Sequence, residues 1–274
     1  MEKDRPEVLS QEPTEILESI GRWGREKFSV FLDLSTLLYL TFRELILERK
    51  KGFSLVFEIT LRQIYFTGVQ ALKVVTLVSL ALGTIVIVES GSQMELLGGV
   101  HFVITILVLV IIRELGPLLT AFIVIGRSGT AIATELGNMI VAHELEAIQA
   151  MGINPIYFIV APRIIGVTIA VICLTLYFKA VALLGGFIVS RLILTISWSV
   201  FLRELMASVK AVDLVYGLLK SLIFGLLIAL TCTYHGMRVR YSSIEVPQVA
   251  TRAVVSAILF CFMSNALLTL LFYL

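Results

Sequence analysis

Two charged residues stand side by side inside a long apolar stretch of the sequence. Arg113 and Glu114 lie between the uncharged runs 103–112 and 118–125, and the whole stretch is long enough to cross a bilayer. Placing an ionised side chain at the centre of a span costs at least about 2.5–3.5 kcal/mol, so such residues face a bundle interior or a wet cavity. The default interpretation of the pair is therefore a functional site that binds a polar group within the membrane.

The spacing of these residues leaves two interpretations open. Adjacent residues on a helix point roughly 100° apart, so Arg113 and Glu114 cannot neutralise each other, and at least one needs a partner on another helix. They could form a structural ion pair between helices, or they could line a substrate cavity. Gly116 and Pro117 favour the cavity, because Pro117 removes a helix hydrogen bond and adds backbone polarity at the same depth. Freed backbone of this kind is tolerated only where protein or water covers it.

The composition of the 274 residues places these charges in a membrane protein. Hydrophobic residues make up 58% of the chain and the mean hydropathy is +0.97, which is far too apolar for a soluble domain of this size. The formal net charge of +2 is small, so the Lys and Arg residues report membrane orientation, and no nucleic-acid binding is expected. Cys173, Cys232 and Cys261 have no metal-ligand spacing and are interpreted as small buried hydrophobes.

Hydropathy predicts an all-α integral membrane protein with five transmembrane helices and an amino-terminal interfacial helix. Residues 1–14 are expected to form a disordered tail, 15–63 an amphipathic interfacial region, and 64–274 the transmembrane domain. A second interfacial helix is expected on the outer side within 191–212. The five predicted spans are 64–88, 103–125, 164–189, 214–234 and 253–273.

Charge in the connecting segments predicts the orientation of the chain. Residues 89–101 contain two glutamates but no Lys or Arg, so by the positive-inside rule this loop faces away from the cytoplasm. The amino terminus is then cytoplasmic, and the carboxyl terminus lies on the opposite side. An odd, small number of spans that carry intramembrane charge indicates a half-transporter that dimerises.

A short cytoplasmic helix is predicted between the second and third spans, over 143–152. Leu145, Ile148 and Met151 recur every three residues on one side, and Pro155 blocks continuation of the helix. Such a helix is either a connector between spans or a docking element for another protein. The pattern alone leaves that choice open.

Several motifs, taken in order, make the chain resemble the MlaE/YrbE permease family. They are Arg113-Glu114-Leu115-Gly116-Pro117, Gly126-Arg127-Ser128-Gly129, Glu135-Leu136-Gly137, Met151-Gly152-Ile153-Asn154-Pro155, Pro162-Arg163, Val212-Asp213-Leu214, Lys220-Ser221 and Ala250-Thr251-Arg252-Ala253-Val254-Val255. The resemblance covers nearly all of the chain beyond the amino-terminal tail. Lys73 and Asn265 depart from it, since an uncharged residue and, in some relatives, an acid are expected there.

The resemblance implies a function and an assembly. It implies the membrane subunit of an ABC transporter that moves phospholipid between the two membranes of a diderm bacterium, located in the inner membrane. Such a permease forms a homodimer, binds two ATPase subunits on the cytoplasmic side and carries an MCE-domain ring on the outer side. A small STAS-domain protein joins some of these complexes.

The resemblance also assigns roles to individual residues. Arg113, Glu114 and Lys220 match polar positions near the lipid cavity and are the expected substrate-binding residues. The short helix corresponds to the coupling helix that rests in a groove of the ATPase. Its expected contact residues are Glu144, Leu145, Glu146, Ile148 and Met151.

No catalytic activity is expected in this chain itself. It contains no G-x-x-x-x-G-K-[ST] motif and no Gly-Lys pair, so ATP and Mg²⁺ would be bound by the partner ATPase, and no cofactor or metal is expected here.

The main alternative is an ion-coupled secondary transporter in which Arg113, Glu114 and Lys220 form an ion relay. Against it, the sequence shows no inverted repeat of broken helices. Lys73 in the first span and Lys179 in the third could snorkel or line a cavity, and the sequence leaves their roles open.

Overall fold

The computed structural model describes residues 30, 32–48, 52–92, 99–240 and 242–273. Within these ranges the chain is helical apart from short connections, and it contains no β-strand, which confirms the all-α prediction. Its helices are α1 (32–47), α2 (Phe53–Thr67), α3 (Leu72–Ser92), α4 (Val100–Val141), α5 (Glu144–Ala150), α6 (Ile156–Ile193), α7 (Trp198–Ser208), α8 (Ala211–Gly236) and α9 (Glu245–Tyr273).

Five segments of the described chain are long and apolar enough to cross a membrane, as the sequence predicts. They are Phe53–Ser92, Val100–Val141, Ile156–Ile193, Ala211–Gly236 and Glu245–Phe272. The first combines α2 and α3, which join through a 3₁₀ turn at Val69–Ala71. It begins well before residue 64, so α2 runs across the predicted start of the transmembrane domain. The predicted tail, residues 1–14, lies outside the described ranges.

α6 is the central helix of the bundle, whereas α9 is peripheral. In the most apolar window of α6 72% of the residues are buried, against 17% in that of α9. α6 packs against α3 and α8 through glycines on those helices. A Cβ on Gly83 of α3 would lie 2.1 Å from the carbonyl oxygen of Ala182, and one on Gly225 of α8 would lie 2.8 Å from Cα of Thr168. Small residues of this kind let transmembrane helices approach closely.

α4 departs from regular α-helical geometry where it carries its charges. Val108–Leu115 and Ile125–Gly129 are π-helical, and the N–H of Gly116 donates to the carbonyl of Ile111, five residues back. Pro117 follows and has no N–H, so the α-helical bond that this position would donate is missing. The distortion that the sequence predicts here thus takes the form of a π turn, a feature frequent at functional sites.

The shorter helices lie at the ends of the bundle. α5 connects the second and third spans, as predicted, and α7 lies in the segment where an outer interfacial helix is expected. The rings of Trp198 and Phe201 on α7 pack on Phe187, with centroids 4.5 and 5.2 Å away. On α1, Asp33 accepts a hydrogen bond of 2.6 Å from the Tyr234 hydroxyl. The interfacial position of α1 in a bilayer stays a prediction.

Candidate functional site

Two ion pairs join α4 to α8 inside the helix bundle. Lys220 Nζ lies 2.7 Å from Glu114 Oε2, and Arg113 Nε lies 2.8 Å from Asp213 Oδ1. The two partners on α8 are seven residues apart, which places them on the same face of that helix, two turns from each other. The adjacent acid and base on α4 therefore find separate partners on one neighbouring helix.

The carboxylate of Glu114 is the centre of a larger hydrogen-bond network. Besides its contact with Lys220, it accepts a hydrogen bond of 3.2 Å from Thr269 Oγ1 and one of 3.3 Å from Asn265 Nδ2, both on α9. Lys220 Nζ also donates to Thr269 Oγ1 at 3.0 Å. Three helices, α4, α8 and α9, therefore meet at one carboxylate.

Aromatic rings cover the cations of this network. Lys220 Nζ lies 4.7 Å from the centroid of the Tyr216 ring, and Arg113 Cζ lies 5.6 Å from that of Phe272. The two rings pack on each other with centroids 4.2 Å apart. Cation–π contacts contribute about 0.5–2 kcal/mol, most where water is excluded. Lys220 is fully buried, while 18% of Arg113 and 24% of Glu114 are exposed, so the network opens at those two side chains.

A further charged residue, Lys179 of α6, is buried beside these pairs. Its exposed fraction is 5%, and among the described residues its Nζ has no hydrogen-bond partner. A Cβ on Gly217 would lie 2.1 Å from that Nζ, and one on Gly116 would lie 3.3 Å from Lys179 Cγ. The lysine is therefore inserted between α4 and α8 at positions that lack a side chain. Lys73 on α3, in contrast, is exposed.

The structure brings the three expected substrate-binding residues, Arg113, Glu114 and Lys220, into contact or close proximity. Their binding role stays a prediction. Sequence reasoning missed Asp213 and Lys179 as neighbours of this set. Asp213 carries a usable signal, because an acid seven residues before an intramembrane lysine shares its helix face.

The residues expected to contact an ATPase lie on α5 and at its carboxyl end. They are Glu144, Leu145, Glu146, Ile148 and Met151. Within the described part of the chain α5 has no buried residue, and Met151 is 68% exposed. His143, which precedes α5 in the left-handed region at φ 57°, places its Nδ1 3.0 Å from Glu146 Oε2. On the apolar side of α5, Leu145 and Ile148 are therefore half-buried and Met151 is exposed.

A cleft of about 430 Å³ opens where α8 ends and α9 begins. It is lined by His235, Arg238, Arg240, Glu245, Gln248, Val249 and Arg252. The cleft is near the carboxyl end of α4, since a Cβ on Gly137 would lie 3.0 Å from Val239 Cγ2. Its three arginines agree with the predicted cytoplasmic position of this end, and the orientation of the chain stays a prediction.

A titratable contact ties α7 to the first turn of α4. His101 Nδ1 lies 2.8 Å from Glu204 Oε2, and Arg203 Nε lies 3.5 Å from Glu204 Oε1. The hydrogen bond with His101 lowers the pKa of Glu204, with smaller contributions from the charges of His101 and Arg203. No three His, Cys, Asp or Glu side chains of the described residues come together in a way that could hold a metal ion.

Known proteins are similar to this sequence over most of its length. The family model described as Permease MlaE matches residues 60–271. A probable ABC transporter permease protein of Rickettsia prowazekii is 30% identical over 213 residues, which cover 78% of this chain and 82% of that protein. The intermembrane phospholipid transport system permease protein MlaE of Haemophilus influenzae is 25% identical over 243 residues, covering 88% of this chain and 92% of that protein.

A plant relative shows the same likeness. The chloroplastic protein TRIGALACTOSYLDIACYLGLYCEROL 1 of Arabidopsis thaliana is 28% identical over 214 residues, which cover 78% of this chain and 61% of that protein. The resemblance that the motifs indicate is therefore confirmed. With five apolar helices and a family match over residues 60–271, the chain belongs to the MlaE permease family and is a multi-pass protein of the inner membrane.

Proposed function

We propose that this chain is the permease subunit of an ABC transporter that moves phospholipids between the inner and outer membranes, driven by a separate ATPase. Membership of the permease family supports a transport role, and the name of the Haemophilus influenzae relative supports a phospholipid substrate. The observation that carries the proposal is the set of charges buried inside the spans, with Arg113 and Glu114 still partly exposed. Intramembrane charges in such a position mark substrate pathways.

The chemistry of these residues suits a lipid headgroup. Cations hold phosphate through charge-assisted hydrogen bonds, and a guanidinium such as that of Arg113 can donate two at once. Glu114 already holds the ammonium of Lys220, so it competes with an incoming phosphate for that cation. In this role Arg113 and Lys220 bind the phosphate, and Glu114 gates the site by releasing or recapturing Lys220.

The proposed assembly contains other chains. The apolar window of α9 is only 17% buried, which leaves an apolar face for a second copy of the permease. The coupling helix α5 docks on the ATPase through Leu145, Ile148 and Met151, with Glu144 and Glu146 at the edge. An MCE-domain protein continues the lipid path on the periplasmic side, and a STAS-domain protein joins some complexes of this kind. The amino terminus is cytoplasmic and the carboxyl terminus periplasmic.

Reconstituted lipid transfer tests this proposal. The permease and its ATPase in vesicles should transfer labelled phospholipid with ATP, and Glu114→Gln should abolish transfer while basal ATP hydrolysis continues. The melting temperature should also fall, because fully buried Lys220 loses its counter-charge, so transfer is compared per amount of folded complex. Glu58→Gln is the matched control, since Glu58 is an exposed carboxylate on α2 that pairs with Arg62 at the surface.

Two outcomes would contradict the proposal. Transfer that survives Glu114→Gln, or that declines only in proportion to lost folded complex, would remove Glu114 from the lipid path. Transfer by the wild type that needs an ion gradient and no ATP would favour the ion-coupled carrier.

A further inference from the structure

The charges buried between α4, α6 and α8 do not balance. Three cations, Arg113, Lys179 and Lys220, meet two carboxylates, Glu114 and Asp213. Each carboxylate already has a cation within 2.8 Å, which leaves the ammonium of Lys179 without a counter-charge among the described residues. Counted over those residues, the site carries one excess positive charge inside the membrane.

Lys179 places this excess charge between the two ion pairs. Its Nζ lies against Gly217, where an added Cβ would be 2.1 Å away. Asp213, Gly217 and Lys220 follow one another at intervals of four and three residues along α8, so they share one face of that helix. The ammonium of Lys179 thus lies one helical turn from each of the two α8 residues that pair with α4.

This arrangement needs an anion to complete it. An ammonium in a low-dielectric interior loses its hydration, and buried charges in proteins are normally paired. Gly116 and Gly217 provide the room for Lys179, so its volume is accommodated while its charge is not satisfied. A ligand that brings one net negative charge would bring the summed charge of the site to zero.

We propose that Lys179 completes an anion site that selects lipids whose headgroup carries a net negative charge. This inference rests on the proposed function, for which it names the substrate class. A lone phosphodiester brings one negative charge and balances Lys179, whereas a zwitterionic headgroup brings its own ammonium and leaves the excess charge in place.

The route to Lys179 follows from the exposure of its neighbours. The lipid phosphate enters where Arg113 and Glu114 are exposed, and the flexible four-carbon stem of Lys179 lets its ammonium reach the phosphate.

The composition of bound lipid measures this selectivity. The full-length permease, purified with its co-purifying subunits, is equilibrated with mixed micelles that contain equal amounts of phosphatidylglycerol and phosphatidylethanolamine, and bound lipid is quantified by mass spectrometry. The wild type should be enriched in phosphatidylglycerol, and Lys179→Met should reduce that enrichment about tenfold, equivalent to about 1.4 kcal/mol. Lys73→Met is the matched control, because Lys73 is an exposed lysine on another span, and it should keep the wild-type ratio.

Thermal stability separates a lost ligand contact from a damaged fold. Without added lipid, Lys179→Met should melt no lower than the wild type, because it removes an unpaired buried charge and keeps a similar volume. Lys179→Gln, which keeps a polar head without the charge, should lose the same selectivity. An unchanged lipid ratio in both variants would overturn the inference, as would a lower melting temperature with a proportional loss of both lipids.

Two further results distinguish a failure of the proposed function from a failure of this inference alone. A wild type that neither binds nor transfers phospholipid defeats the proposed function and this inference together, whereas a wild type that transfers lipid but binds both lipids at the bulk ratio defeats only the inference.

A separate arm replaces lipid with inorganic phosphate. Protection against heat by phosphate alone, equal to that by phosphatidylglycerol, would assign the site to free phosphate and overturn its assignment to lipids.

Discussion

The buried charges between α4 and α8 differ from the short helix α5 in where their residues find partners. Arg113, Glu114 and Lys220 lie among apolar helices, and each has an oppositely charged partner within 2.8 Å in the same chain. α5 carries apolar residues outside the bundle, and none of its residues is buried by the described chain. Charges satisfied internally indicate architecture or a small ligand, whereas apolar residues that the chain covers only in part indicate a second macromolecule.

Among these tests, removal of Asp213 from the buried ion pair should cause the largest loss of stability. Asp213 is 1% exposed, and Asp213→Ala takes its carboxylate away from the Arg113 guanidinium. Breaking a buried ion pair in this way typically destabilises by about 3–5 kcal/mol. Thermal unfolding in detergent measures the loss. Arg113→Met combined with Asp213→Leu should recover much of it, and a double variant as unstable as Asp213→Ala would show that charge is not the cause.

Gly217→Ala tests the same region with a smaller expected effect. The new Cβ would lie 2.1 Å from Lys179 Nζ, the end of a flexible side chain, so the lysine must shift and a loss of about 1 kcal/mol is expected. Lys179→Ala in the same chain should relieve the collision, so the two changes should not add. Gly126→Ala is the control, because no described atom beyond its own helix turn lies within 4 Å of its added Cβ. Equal melting temperatures for Gly217→Ala and Gly126→Ala would place the lysine elsewhere.

Ile148→Asp tests whether α5 is the docking site for the ATPase. The stability of the permease alone should fall by no more than about 1 kcal/mol, because Ile148 is only half-buried. Co-purification of the ATPase should fall, because a docked aspartate would lose its hydration without gaining a partner. Gln149→Asp puts the same charge on another side of α5 and should retain the ATPase. An ATPase that stays bound to Ile148→Asp would exclude docking through this side.

The contact between His101 and Glu204 should give the smallest effect. The hydrogen bond with His101 lowers the pKa of Glu204 from its usual value of 4.5. A lowered folded-state pKa contributes stability that is present above the unfolded pKa and is lost as the pH falls through the folded one. Glu204→Gln should therefore melt slightly lower at neutral pH and show a flatter profile in acid. Identical profiles of melting temperature against pH would show that the contact does not persist in solution.

The five spans could be predicted from the sequence because hydropathy and length act within one segment. The extent of the helix that contains the first span could not be predicted in the same way. Glu58 and Arg62 interrupt the apolar pattern of α2, but in the structure they form an exposed i,i+4 pair at 3.3 Å and the helix continues through them. The short helix α5 could also be predicted, because its three-residue apolar spacing and Pro155 are local signals in the sequence.

The charged site could be predicted only in part. Arg113, Glu114 and Lys220 are visible in the sequence because lipid penalises every charge. Which cation meets which carboxylate depends on the rotation and depth of α4, α6 and α8, and no local pattern states these. Lys179 is compatible in sequence with a snorkelling or a buried side chain, and the close approach of α6 to Gly217 decides for the buried one.

The π-helical segment of α4 determines which way Glu114 points. A π turn contains about one residue more than an α turn. If Val108–Leu115 returned to α-helical geometry, one half of α4 would rotate by about 100° and slide by about 1.5 Å relative to the other. Glu114 would then turn away from Lys220 while the backbone groups of the helix kept partners within the membrane. A single-residue step in helix register is thus enough to separate Glu114 from Lys220.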